Sequence, residues 1–203
     1  MPINYMSNLN NSKKLRAVFY PIYTDLLIKE FACERLMFED REVLERIIFP
    51  YLLIHENPRR ILDIGREAYE KFYNLFFTGR ELWTIDINPR RKKFGSKNHI
   101  IDDVVNLKKH FKNNYFDLII MNGVFGWGLN QRENIETAIG GIYDILKTDG
   151  ILVFGWNDAL DTKPVPLEHI RALKEFKPYY FKPLKGINFK ASSNNHIYNF
   201  YEK

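Results

Sequence analysis

Short apolar runs, each closed by an acid, a glycine or an asparagine, recur along the first two-thirds of the chain. They are Ile61-Leu62-Asp63-Ile64-Gly65, Trp83-Thr84-Ile85-Asp86-Ile87-Asn88, Ile100-Ile101-Asp102-Asp103-Val104 and Phe116-Asp117-Leu118-Ile119-Ile120-Met121-Asn122-Gly123. Their β-branched content predicts strands near 60–64, 82–87, 98–102 and 116–121, with a fifth near 150–155. Each is separated from the next by a stretch that holds a helix or a loop. That alternation predicts an α/β fold with a parallel sheet. Ligands of open α/β sheets bind at the carboxyl ends of strands, so the residues that close these runs are the first functional candidates.

Helical spacing dominates elsewhere. Residues 24–57 carry apolar positions three and four apart, as in Asp25-Leu26-Leu27-Ile28-Lys29-Glu30-Phe31 and Val43-Leu44-Glu45-Arg46-Ile47-Ile48. Asp40 is placed to cap the second of these helices. Pro50 is placed to kink or end it, because proline removes a backbone donor. From Arg132 to Leu146 the apolar residues Ile135, Ala138, Ile139, Ile142, Ile145 and Leu146 fall on one stripe. Thr148-Asp149-Gly150 then reads as a helix stop and turn. Pro164 to Leu173 predicts one more helix, with Pro166 at its start. Tyr179 to Leu184 and His196 to Tyr201 read as two strands around the polar loop 192–195, a terminal hairpin added to the sheet. Residues 1–14 read as a mobile tail, and 15–203 as one domain.

Composition narrows the classes. Hydrophobic content of 45% and charged content of 27% are ordinary for a soluble globular chain. No apolar run is long enough to span a bilayer. The polar, Asn-rich start lacks the order of a secretory signal. Cys33 has no internal disulfide partner, and no Cys/His cluster suggests a metal, so a reducing cytoplasmic setting is expected. The net charge of +5 permits an anionic partner without demanding one. Arg90-Arg91-Lys92-Lys93 reads as a solvated face or as a contact for a phosphate or an acidic substrate. No nucleic-acid motif accompanies it, so a nucleic-acid partner is not expected. The histidines are scattered and read as structural or exposed. His169 lies nearest the strand ends by chain order.

From about residue 40 onward, the order of these elements resembles the class I S-adenosylmethionine-dependent methyltransferases. The resemblance implies a Rossmann-like, seven-stranded, mostly parallel sheet with a C-terminal antiparallel hairpin and helices on both faces. It implies S-adenosylmethionine as cofactor. Asp63 and Gly65 are similar to the family's first motif, where a glycine lets backbone approach the ligand. Asp86, 21 residues after Gly65, matches the acid that binds both ribose hydroxyls, and Ile87 follows it. Asp103, followed by Val104-Val105-Asn106-Leu107, is similar to the acid that meets the adenine amino group; Asp102 is an equal alternative. Asn122 and Gly123 close the fourth strand on the cofactor side. The chain departs from the family at Glu67 and Tyr69, which stand where glycines usually make room for the methionine part. Glu67 either meets the cofactor's ammonium or blocks the site.

The acceptor side is read from the residues. Phe125-Gly126-Trp127 and Phe154-Gly155-Trp156 close neighbouring strands, so Trp127 and Trp156 either face a substrate or pack beneath the rim. Trp127, Trp156 and Asn157 are the candidate substrate contacts, Asp158 the candidate base and Asn122 the candidate positioning group. Asn122-Gly123-Val124-Phe125 lacks the signature of amino methyltransferases that act on bases. Tyr143 and Lys147 have the spacing of short-chain dehydrogenases but precede the fifth strand, and no dinucleotide glycine fingerprint is present. They read as ordinary helix residues. The expectation is methyl transfer to a small-molecule or glycan-type acceptor. The alternative is a catalytically degenerate binding or scaffold protein. Whether Glu67 and Tyr69 fill the methionine pocket separates the two.

Overall fold

A computed structural model describes residues 10–31 and 38–203. Its sheet is built from β1 (Arg60–Ile64), β2 (Glu81–Asp86), β3 (Asn98–Ile101), β4 (Phe116–Asn122), β5 (Leu146–Asn157), β6 (Lys177–Pro178), β7 (Asn188–Lys190) and β8 (His196–Glu202). The order is β3-β2-β1-β4-β5-β8-β6, with β7 also paired to β8. Strands β1 to β5 run parallel to one another. β8 runs antiparallel to β5, and β6 and β7 run antiparallel to β8. The mixed α/β sheet with an antiparallel end is the fold class expected.

Strand order reverses between β1 and β4, which makes their carboxyl ends the switch point where such sheets bind ligands. Register brings the strand ends level. Ile64 lies beside Ile85 on one side and Met121 on the other. Gly65, Asp86 and Asn122 therefore emerge together.

Helices cover both faces. They are α1 (Asn11–Phe31), α2 (Glu39–Val43), α3 (Phe49–His55), α4 (Tyr73–Phe76), α5 (Leu107–His110) and α6 (Arg132–Ile145). Alternate strand residues feed the two layers, because successive side chains point to opposite faces. Leu62, Ile119, Met121, Leu152 and Phe154 pack with the Ile135, Ile139 and Ile142 stripe of α6. Ile61, Leu118, Ile120, Ile151 and Val153 pack with Leu44, Ile48, Phe49 and Leu52. Being covered on both faces explains why these strands read as continuous apolar runs.

Several expectations are corrected. Residues 1–9, and Cys33 with them, lie outside the described residues. Asn11–Lys14 are not a tail: they open α1, where the Asn10 side chain accepts the Lys13 amide at 2.9 Å and caps the helix. Helix continues from Glu39 to His55 through Pro50. A π-helical turn over Leu44–Ile48 precedes the proline, and the Phe49 amide already bonds back to Leu44. That wider turn accommodates the ring in the first turn of α3. Asp40 does not cap: Phe38 holds that position, and Asp40 is buried, accepting from Asn194 at 2.7 Å. The stop at Thr148–Gly150 is instead an irregularity inside β5, with Asp149 at φ +61°. Lys147 accordingly sits in a strand, bonded to Asp117 at 2.5 Å, and makes no pair with Tyr143.

The helix expected from Pro164 to Leu173 is two short 3-10 turns, Leu167–His169 and Arg171–Glu175. Pro166 disfavours helix at Val165, and Glu136 of α6 caps the second turn by accepting the Arg171 and Ala172 amides at 2.9 and 2.8 Å. The hairpin partner of β8 is β7, not 179–184. Pro183 cannot donate to a ladder, and Lys182–Leu184 turns instead. Phe181 dives under the sheet, stacked on Phe200 with ring centroids 4.4 Å apart. Phe181→Ala is therefore expected to cost about 3–5 kcal/mol in urea unfolding. A cost under about 1 kcal/mol would mean that the ring is not in the core.

Candidate active site

The level strand ends enclose a cavity of about 700 Å³. β1 runs into Gly65 at φ +83°, where a Cβ would come within 2.7 Å of Val124 Cγ2. Only glycine turns the chain here without closing on the β4 loop. Arg66 follows, and its guanidinium is fully buried. It pairs with Asp63 and donates to the carbonyls of Glu70 and Phe94, both at 3.0 Å, and to Asn74 Oδ1 at 2.8 Å. Asp63 is thus anchored by Arg66 and is not among the residues that line the cavity. Burial pushes that carboxyl up, and Arg66 opposes the push.

Glu67 and Tyr69 both line the cavity. The Glu67 carboxylate is drawn to Arg91. Tyr69 lies under the Arg41 guanidinium, 4.8 Å from its ring centroid, and accepts a hydrogen bond from it at 3.1 Å. Arg41 also donates to the Glu70 carboxylate at 2.7 Å. The two side chains in the glycine positions therefore stand in the cavity wall, each held by an arginine.

Asp86 reaches the cavity with its carboxylate already oriented. Oδ2 accepts the Arg66 amide at 2.8 Å and Oδ1 the Asn88 amide at 2.7 Å. Its remaining lone pairs are free to receive hydroxyls. Ile87 lines the cavity and is 66% exposed. Asp102 and Asp103 both border the cavity and differ in their partners. The Asp102 carboxylate meets His110 at 2.6 Å and Asn106 at 2.8 Å; those bonds hold its pKa down to about 2. Asp103 caps a turn by accepting the Val105 amide at 3.0 Å, and among the described residues its Oδ2 accepts nothing.

At the floor, Asn122 is buried, and among the described residues neither its Oδ1 nor its Nδ2 has a partner. Gly155 makes room for it: a Cβ there would lie 2.1 Å from Asn122 Oδ1. Gly123 borders the same space. Asn157 lines it too, with Oδ1 2.6 Å from His196 Nδ1. His196 opens β8 and is buried; burial lowers its pKa to about 4, Asp40 opposing and Arg41 assisting. His196 is therefore neither exposed nor incidental. Its place depends on the pairing of β8 with β5, which no local pattern reveals.

Trp127 stands at the mouth, 64% exposed and lining the cavity. Trp156 does not join it. Its ring packs on Phe125 in the core, and its indole N–H donates to Asn199 at 2.8 Å. Asp158 is also displaced from the candidate role: Lys163 and Lys190 hold it outside the cavity at 2.6 and 3.3 Å, and both lower its pKa. His169 lies in a turn away from the cavity. Of the basic run, Arg91 alone reaches the cavity, while Arg90, Lys92 and Lys93 are solvated.

Residues 62–154 match the methyltransferase domain family. Solved structures agree in fold. The N-methyltransferase NodS from Bradyrhizobium japonicum, in complex with S-adenosylhomocysteine, aligns over 91% of this chain and 98% of its own at 20% identity, with a TM-score of 0.58. A TehB-like S-adenosylmethionine-dependent methyltransferase from Corynebacterium glutamicum aligns over 90% and 99% at 16% identity, with a TM-score of 0.56. The fold is that of a class I S-adenosylmethionine-dependent methyltransferase. A 1,6-didemethyltoxoflavin N1-methyltransferase from Burkholderia thailandensis, with its substrate and S-adenosylhomocysteine bound, aligns over 97% and 92% at 13% identity, with a TM-score of 0.55. No curated protein matches the chain by sequence. The resemblance in fold read from the sequence is borne out. Among the described residues, no helix is long and apolar enough to cross a membrane.

Burial of His196 has a consequence for stability. Its pKa falls from 6.5 to about 4, so between those values the unfolded chain binds more protons than the folded protein. The stability due to His196 is complete above about pH 6.5 and is lost as pH falls towards 4. Between about pH 7 and pH 5 the wild-type protein is expected to lose about 2 kcal/mol more than His196→Gln in guanidinium unfolding. Equal losses would show that the imidazole is not held neutral.

Proposed function

We propose that this domain transfers a methyl group from S-adenosylmethionine to a small polar molecule, a sugar included, in a reducing cytoplasmic setting. The observation that carries this reading is the Asp86 carboxylate, fixed by two backbone amides beside the Gly65 turn. A Cβ at that turn would press to within 2.7 Å of Val124 Cγ2. The cavity volume lies within the range of cofactor sites.

In this reading Asp86 accepts the two ribose hydroxyls. Ile87 and Val104, both at the cavity wall, offer apolar surface to adenine. Asp103, with an oxygen to spare, takes the adenine amino group in preference to Asp102, which His110 and Asn106 already occupy. Gly65, Gly123 and the Glu67 and Tyr69 walls border the methionine end. When bound, the sulfonium supplies an electrophilic methyl group, and the protein must hold the acceptor close and in line with it. Asn122 and Asn157 orient the acceptor, and Trp127 covers its apolar or ring face. The didemethyltoxoflavin enzyme, with a small heterocycle in place, supports an acceptor of that size.

Calorimetric titration with S-adenosylhomocysteine tests the reading. The folded protein is expected to bind with a Kd on the order of micromolar. Asp86→Ala, which removes charged hydrogen-bond acceptors, is expected to weaken binding at least about tenfold without changing the circular dichroism spectrum. Absence of binding to the folded wild-type protein would end this reading.

A further inference from the structure

Three buried polar atoms on the cavity floor have no hydrogen-bond partner among the described residues: Asn122 Oδ1, Asn122 Nδ2 and His196 Nε2. Their residues are only 8% and 5% exposed, and both line the cavity. They come from different strands to one point. A Cβ on Gly155 would lie 2.1 Å from Asn122 Oδ1 and 2.9 Å from His196 Nε2, so the intervening strand leaves space for both only through a glycine. Buried polar groups are almost always paired, so a cluster left open in a cavity calls for a partner that enters it.

The pattern of donors and acceptors selects that ligand. Asn157 Oδ1 sits 2.6 Å from His196 Nδ1. Nδ1–H therefore donates to the carboxamide, and Nε2 keeps its lone pair. The open set is one donor group, Asn122 Nδ2, and two acceptors, Asn122 Oδ1 and His196 Nε2. A carboxylate offers only acceptors, and a quaternary ammonium offers no N–H. A neutral hydroxyl or amine offers both functions from a single atom. We propose that Asn122 and His196 form a subsite for the neutral hydroxyl or amine of the methyl acceptor, whose proton is directed to His196 Nε2. The proposal rests on the methyl-transfer reading of the cavity and deepens it. It gives the acceptor a chemical class and gives the proton a destination, which Asp158, turned to two lysines, does not supply.

Phenol, aniline and benzoate share a ring and differ in the group they present, which makes them suitable probes. Each is titrated into the S-adenosylhomocysteine-saturated protein with 15N-labelled histidines, and the His196 Nε2 resonance is followed by NMR. Phenol and aniline are expected to shift it saturably, and benzoate to bind at least about tenfold more weakly. His196→Leu is expected to weaken phenol binding about tenfold or more while S-adenosylhomocysteine affinity is retained. His196→Gln, which restores an acceptor oxygen, is expected to recover part of the loss. Benzoate binding as tightly as phenol, phenol binding unchanged in His196→Leu, or an Nε2 found protonated at neutral pH would each overturn the subsite. Should His196→Leu fail to fold, the probe series on the wild-type protein still decides. If S-adenosylhomocysteine binds while the probes fail, the subsite alone falls. If the folded protein does not bind S-adenosylhomocysteine, the methyltransferase reading falls, and the assignment of a methyl acceptor falls with it.

Discussion

The Arg66 guanidinium is removed wholly from water, and a charge is tolerated there only where partners replace the lost solvent. Asp63, two carbonyls and an asparagine supply that replacement. Those partners belong to four different segments: the end of β1, the 3-10 turn that follows it, α4, and the turn after β2. One side chain thereby ties together the segments that wall the cavity on its cofactor side. The backbone of the same residue donates to Asp86. The position of the Asp86 carboxylate is thus coupled to the clamp beneath it, and a shift in one is transmitted to the other.

The acceptor side is organised differently. It depends on absence, because Gly155 contributes no side chain and Asn122 and His196 occupy the volume. Here the polar groups are left open, whereas Arg66 has every partner it needs. Under the proposed function, the half that would take the cofactor is pre-formed by internal bonds, and the acceptor half keeps its bonding capacity for the ligand. That division fits an enzyme that must bind one fixed cofactor rigidly and place a second molecule against it.

The strands and their order were legible because β-branched runs ending in Asp63-Ile64-Gly65, Asp86 and Asn122 reflect burial on both faces and a shared carboxyl edge. The ligand edge was legible for the same reason. What stayed hidden depends on contacts between distant segments. Asp63 carries the same acid in either role, and only the buried Arg66 three residues on decides that it faces inward. Trp127 and Trp156 share a tripeptide, yet one stands in solvent and the other bonds to Asn199 of β8. His196 acquires its place from strand pairing alone. Pro50 misled because proline usually interrupts a helix, and the π turn that admits it has no signature in a single sequence.

The replaced glycines are the sharpest departure from the family pattern, and their electrostatics explain how a cavity survives them. A glutamate and a tyrosine in a methionine pocket would ordinarily fill it. Here the Glu67 carboxylate is drawn aside by Arg91, a member of the basic run after β2, and Tyr69 is pinned beneath Arg41 of α2. Arg41 is itself buried and fixed by Glu70, whose other carboxylate oxygen accepts the Glu67 amide. The turn from Glu67 to Glu70 is thus closed on itself and bonded to two arginines from opposite sides. Where the resembled pattern has glycines, this chain gives each side chain a charged partner on the cavity wall. Arg41, Glu67, Tyr69, Glu70 and Arg91 are thereby joined in one bonded network along the cavity wall.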